Sequence, residues 1–178
     1  MSIKSIFVFK SLHVVAWVIF VGLCIEAGGL TVNFIFSLCK PEFVQSLYQK
    51  LDLSQMYHLN KWAYFGVYGF ILGISLLKAF MFYMVVTLIS KLNLSKPFNS
   101  LVAEQITKIS YCTFSIGILS FLAQQTARNL QQSGFEVDML SQFWTDSQAY
   151  ILMAAVIYVI ANIFSRGVEL QNENDLTI

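Results

Sequence analysis

The stretch Val21-Gly22-Leu23-Cys24-Ile25-Glu26-Ala27-Gly28-Gly29 decides the fold, because it sits near the middle of a predominantly apolar run from Ile6 to Cys39. No soluble domain needs a run of that length, whereas a membrane helix requires about 20 apolar residues. Composition agrees. Apolar residues make up 57% of the chain and charged residues 12%, against about 45–50% and about 25% in ordinary globular domains. So few charges could not cover the surface of a soluble monomer, and the chain reads as an integral membrane protein.

Three more apolar runs follow, and with their flanks each reaches spanning length. The expected spans are about 8–38, 62–90, 101–128 and 147–166. The segment is too long for the apolar core of a cleavable signal peptide, so the first run reads as a retained helix. The fold expected is therefore all-α, a compact four-helix membrane bundle.

Lys and Arg near the helix ends give the orientation. With both termini in the cytoplasm, Lys4, Lys10, Lys91, Lys96, Lys108 and Arg166 lie inside, and Lys40, Lys50, Lys61 and Arg128 outside. The outer loops also carry Glu42, Asp52, Glu136, Asp138 and Asp146, which offset their bases.

The first outer loop is expected to hold an amphipathic helix, with Pro41 at its first turn and Phe43, Leu47 and Leu51 at helical spacing. In the second, Gly134 breaks the helix and Phe135, Val137, Leu140, Phe143 and Trp144 supply enough apolar surface to fold back on the bundle. Trp62, Trp144 and Tyr150 fall where an outer aromatic belt belongs. In the turn between the second and third spans, Pro97 opposes helix at the residue before it. Asn99 or Ser100 then caps the third span, with Glu104 in its first turn.

Membrane helices turn small and polar residues toward one another. On the first span Gly22, Glu26, Gly29 and Asn33 form one stripe, and on the third Ser110, Thr113, Gly117, Ser120 and Gln124 form another. Ala155, Tyr158, Asn162 and Ser165 do so on the fourth. The second span offers Tyr64, Ile71, Ser75 and Lys78 on one side and a Gly69/Gly73 step on another. These stripes read as packing seams, with a substrate path as the alternative.

Glu26 and Lys78 are the two ionisable residues deep inside the apolar runs. Glu26 lies about 24 Å along its helix from Lys10, and Lys78 about 20 Å from Lys91, at 1.5 Å per residue. An ion pair between them near the bilayer midplane is expected, since each charge alone costs about 3 kcal/mol there. Ser75 would add a hydrogen bond. The pair reads as a packing element, with a proton- or substrate-coupled centre as the alternative. Asn33, Gln124, His13 and Asn162 are the supporting polar residues, with His13 reaching Asn162 or Ser165.

The chain shows no residue pattern for catalysis. HExxH, Gly-x-Ser-x-Gly, the P-loop and Gly-x-Gly-x-x-Gly are all missing. His13 and His58 stand at unmatched depths, which disfavours haem, and the three scattered cysteines form neither CxxC nor a disulfide framework. No enzyme activity, cofactor or metal is expected. A net charge of +1 gives no footprint for direct nucleic-acid binding.

The closing string Arg166-Gly167-Val168-Glu169-Leu170-Gln171-Asn172-Glu173-Asn174-Asp175-Leu176-Thr177-Ile178 and the Lys96-Pro97-Phe98 turn resemble the domain-of-unknown-function family 2975, as does the order of four helices. That family comprises small bacterial four-helix membrane proteins, so the resemblance implies a place in the bacterial inner membrane. Its members are often encoded beside a small helix-turn-helix regulator. What the resemblance implies is a membrane protein that binds or sequesters such a regulator. The turn at Lys96, Pro97 and Phe98 and the tail bearing Arg166, Glu169, Glu173 and Asp175 would be the partner surface. The bland alternative for the tail is a solvated helix end. A small ion- or proton-coupled transporter centred on Glu26 and Lys78 is the competing function.

Overall fold

The computed structural model describes residues 3–39, 53–92, 99–144 and 146–175. Among them every regular element is helical: α1 (Ile3–Cys39), the short α2 (Ser54–Leu59), α3 (Lys61–Lys91), α4 (Ser100–Gln132), a 3-10 turn (Asp138–Phe143) and α5 (Ser147–Asp175). Four of these helices, α1, α3, α4 and α5, are long and apolar enough to span a membrane. The expected amphipathic helix around Phe43, Leu47 and Leu51 lies outside the described residues, as does the Lys96-Pro97-Phe98 turn.

Local chemistry explains where the helices begin and end. Asn60, Asn99 and Asp146 each stand just before a helix and turn a side-chain oxygen onto its free N–H groups. Asn60 Oδ1 accepts from Trp62 N at 3.0 Å, Asn99 Oδ1 from Leu101 N at 2.9 Å, and Asp146 Oδ1 from Gln148 N at 3.1 Å. These are N-caps of the kind that Asn and Asp supply best. At the other end of α4, Gly134 adopts φ +88°, and Phe135 N donates to Leu130 O while Gly134 N donates to Gln131 O. That left-handed glycine closes the helix in a Schellman motif. After it, Val137, Leu140 and Phe143 fold back and are buried, as their apolar pattern predicts.

The extensive interfaces run in chain order: α1 on α3, α3 on α4, α4 on α5, with α2 seated on α3. Among the described residues no interface of comparable extent joins α1 to α5, so the four-helix bundle is open on that side. α5 leans over the α3–α4 groove, where Ile157 and Phe164 share a cluster with Leu88 and Leu92 of α3 and Ala161 closes on Val102 and Ile106 of α4. The open side lies between α5 and α1.

The expected α4 stripe is buried at Ser110, Thr113, Gly117 and Ser120; Ser110 and Gly117 pack on α5, while Thr113 Oγ1 lies 3.3 Å from Met81 Sδ of α3. Ser110 Oγ donates to Ala154 O at 2.9 Å. On α5, however, the seam runs through Ser147, Ala154 and Ala161, while Ala155, Tyr158 and Asn162 are exposed. The expected stripe sits one residue off, which turns it by 100° on a helix. Both candidate stripes have period 3.6, so spacing alone could not choose between them.

The Gly69/Gly73 step is not a close crossing. Gly69 has open space around it, and a Cβ at Gly73 would meet only Leu119 Cδ2, at 3.0 Å. The close approach is at Gly117, where a Cβ would lie 2.8 Å from Ile151 Cγ1 and 3.2 Å from both Ile151 N and Ser147 O. Backbone atoms cannot move aside as a side-chain tip can. Gly117→Val is therefore expected to lose about 1–3 kcal/mol by overpacking, against less than about 0.5 kcal/mol for Gly69→Val at an exposed position. Thermal unfolding of the two variants in the same detergent checks this.

Candidate functional site: a polar cleft between α1 and α3

α1 touches the bundle along one seam, through Ala16, Ala27, Leu30 and Ser37, which are buried while most of the helix is exposed. Two tyrosines of α3 fix its register. Tyr64 Oη donates to Ser37 Oγ at 2.7 Å, and Tyr68 Oη donates to the carbonyl of Leu30 at 3.0 Å. Ser37 Oγ in turn donates to Phe34 O at 2.7 Å. Around them Phe34, Tyr57, Phe65 and the two tyrosines form a continuous ring cluster, with Phe34 stacked on Tyr68 at 5.1 Å. Tyr64, Tyr68 and Ser37 are fully buried. Of this lock only Tyr64 stood out in the sequence. Ser37 and Tyr68 could have been found by asking which hydroxyls lie on the α1 and α3 seams at matched depth.

Further along, Phe20 meets Tyr83 at 5.9 Å between ring centroids, and His13 Nε2 lies 3.4 Å from Ser90 Oγ. His13 also accepts from Trp17 Nε1 at 2.9 Å. The expected bond from His13 to Asn162 or Ser165 is not made, because α1 packs on α3 while α5 packs on α4. Asn162 Nδ2 instead donates to Tyr158 O, on its own helix. Gln124 lies near Ser147, whose Oγ is 3.5 Å from Gln124 Oε1. It lines a cavity of about 400 Å³ with Arg128, Gln131, Asp138, Ser141 and Trp144, well away from Glu26.

The register set by these four contacts brings Glu26 level with Ser75 and Lys78. Glu26 directly precedes the seam residue Ala27, and Lys78 directly precedes the buried Ala79. In an antiparallel pair those positions fall on the same side of the seam. Lys78 also points away from Leu76, Phe80 and Tyr83, which mark the exposed face of α3. It is half-buried, with the Glu26 carboxylate as its electrostatic neighbour.

The two charges are close but not joined. Lys108 pairs with Glu104 at 2.7 Å and Arg166 with Glu169 at 2.9 Å, but no nitrogen–oxygen contact within 4.0 Å links Lys78 to Glu26. Ser75 is buried and its Oγ has no hydrogen-bond partner. Thr87, Ser90 and Thr107 bond back to their own helix backbones; Ser75 does not. Asn33, on the same side of α1, makes no side-chain hydrogen bond among the described residues. Among the described residues no group of three His, Cys, Asp or Glu could hold a metal ion.

The family model described as "Protein of unknown function (DUF2975)" matches residues 41–178. The chain belongs to that family. The DUF2975 match takes in α2 through α5 and stops short of α1, so Glu26 and Ser37 lie outside the matched segment and Lys78, Ser75 and both register tyrosines within it. No curated protein and no solved structure matches the chain.

The tyrosine lock has a measurable cost of removal. Ser37→Ala strips the Tyr64 hydroxyl of its buried acceptor and is expected to cost about 1–3 kcal/mol. The double variant Ser37→Ala/Tyr64→Phe removes both partners and should recover part of that loss. A double-mutant cycle on unfolding free energy checks it, and strictly additive losses would contradict the bond.

Proposed function

We propose that this DUF2975 protein is a non-enzymatic inner-membrane protein that holds a small cytoplasmic helix-turn-helix regulator, with both termini on the cytoplasmic side. The observation that carries the reading is the length of α5. A polar tail was expected after residue 166, yet the helix runs unbroken from Ser147 to Asp175. Nothing in Gly167-Val168-Glu169-Leu170-Gln171 interrupts it, since one glycine costs only about 1 kcal/mol in a helix. The Arg166–Glu169 pair at 2.9 Å bridges the start of the extension.

The bundle and the polar end are thus one rod. Glu169 and Glu173 stand one turn apart on it, both exposed, so the extension presents an acidic face to a partner. A DNA-binding regulator carries a basic surface, and opposite charge steers and orients such an encounter. Holding that surface at the membrane withdraws the regulator from DNA.

A coupled transporter centred on Glu26 and Lys78 is the second reading, favoured by the two charges standing level without a direct bond. The two readings separate by variant. Deleting residues 169–178 is expected to abolish capture of a helix-turn-helix regulator by the full-length protein, while Glu26→Gln leaves it intact. Capture should also weaken from 50 to 300 mM salt, as screening requires. Co-purification from membranes at both salt concentrations checks this, and retention of the regulator after the deletion would rule the surface out.

A further inference from the structure

We propose that the crook between α1 and α5 is a binding site for one membrane-dissolved amphiphile, whose polar head both donates and accepts a hydrogen bond, as an amide or an alcohol does. The head group sits between Glu26, Ser75 and Lys78, and the chain lies along the open side of the bundle.

The shape comes from the packing order. Among the described residues the extensive interface of α1 is with α3 and that of α5 is with α4, α5 also reaching the edge of α3, so the two end helices leave a lateral opening over α3. One end of that opening is covered. Leu53, Met56, Val137, Leu140 and Phe143 gather there with Leu30, Tyr64, Val67 and Ile71 into a single buried cluster. Glu26, Ser75 and Lys78 lie just beyond the cover, in the part that faces the bilayer sideways. A ligand therefore enters from the lipid, not from water.

The chemistry comes from three polar groups at one level. An acceptor (Glu26), a donor (Lys78) and a hydroxyl that is both (Ser75) stand together, and none bonds another. In hydrocarbon such groups need partners. A direct ion pair would leave Ser75 unsatisfied. A single amide or hydroxyl head can donate to the carboxylate and accept from the ammonium, and it leaves its apolar chain against α1 and α5. A carboxylate head would be repelled by Glu26 and an ammonium head by Lys78, so the site selects a neutral polar head. This site does not depend on what the far end of α5 binds.

The test uses the full-length protein in lipid nanodiscs and a diazirine-bearing long-chain fatty amide as the probe. Photolabelling is expected to saturate, to fall on the segments around Glu26 and Lys78, and to be competed by the same amide without the diazirine. Glu26→Gln/Lys78→Gln should weaken labelling roughly tenfold, the factor for losing one charge-assisted hydrogen bond. Should that variant fail to fold, competition on the wild-type protein decides alone. Labelling that does not saturate, or that falls equally on Phe121 and Leu122 of the exposed α4 face, would overturn the proposal. So would equal competition by a fatty acid, or cross-linking of a second copy in place of the probe.

Discussion

Everything in this fold depends on the single seam by which α1 is attached. The most apolar helix of the chain is also one of the least buried, and it meets the bundle along one seam, centred on Ala16, Ala27, Leu30 and Ser37 and flanked by the rings of Phe20 and Phe34. Dispersion along such a seam is nearly indifferent to sliding by one turn, because small apolar residues recur at every step. Two tyrosine hydroxyls remove that freedom. A one-turn slip of about 5.4 Å would separate Tyr64 from Ser37 and leave Tyr68 facing a different carbonyl, stranding buried polar groups at about 1–3 kcal/mol each. The same register sets Glu26 level with Ser75 and Lys78.

The opposite half of the molecule is held by a different device. α4 and α5 approach closely because Gly117, Ser110, Ala154 and Ala161 present little bulk, and a serine hydroxyl reaches across to a backbone carbonyl. Where lipid removes the hydrophobic drive between helices, close backbone approach and interhelical hydrogen bonds take its place. This rigid pair carries α5 on, without a break, into its polar end. α1, packed on α3, and α5, packed on α4, therefore border the opening from either side.

Much of this was legible in the residues. Four long apolar runs could only be four spanning helices, Asn99 stood out as a cap and Gly134 as a stop. The α4 stripe contained both the Ser110 hydrogen bond and the Gly117 contact. What the residues could not say was how each helix is turned. On α5 the true seam through Ala154 and Ala161 and the false one through Ala155 and Asn162 have equal spacing. On α1 the Gly22–Glu26–Gly29–Asn33 stripe proved to flank the seam. The depth of Glu26 and Lys78 was readable from rise per residue, which is why they stand level. Their separation was not, because it depends on the angle at which each leaves its helix, and that is fixed by the tyrosine contacts. The open side was not readable for the same kind of reason: pairwise stripes say which helices can pack, not whether the first and last meet.

The most direct test of this arrangement is cysteine cross-linking in native membranes with a short bifunctional reagent, on a background with the three native cysteines replaced. A pair at Phe20 and Tyr83 reports the α1–α3 contact, a pair at Ser110 and Ala154 reports α4–α5, and a pair at Glu26 and Met153, which lie at similar depth, reports α1–α5. The account predicts efficient linkage of the first two pairs and none within one chain for the third. Efficient linkage of α1 to α5, with little between α1 and α3, would contradict it.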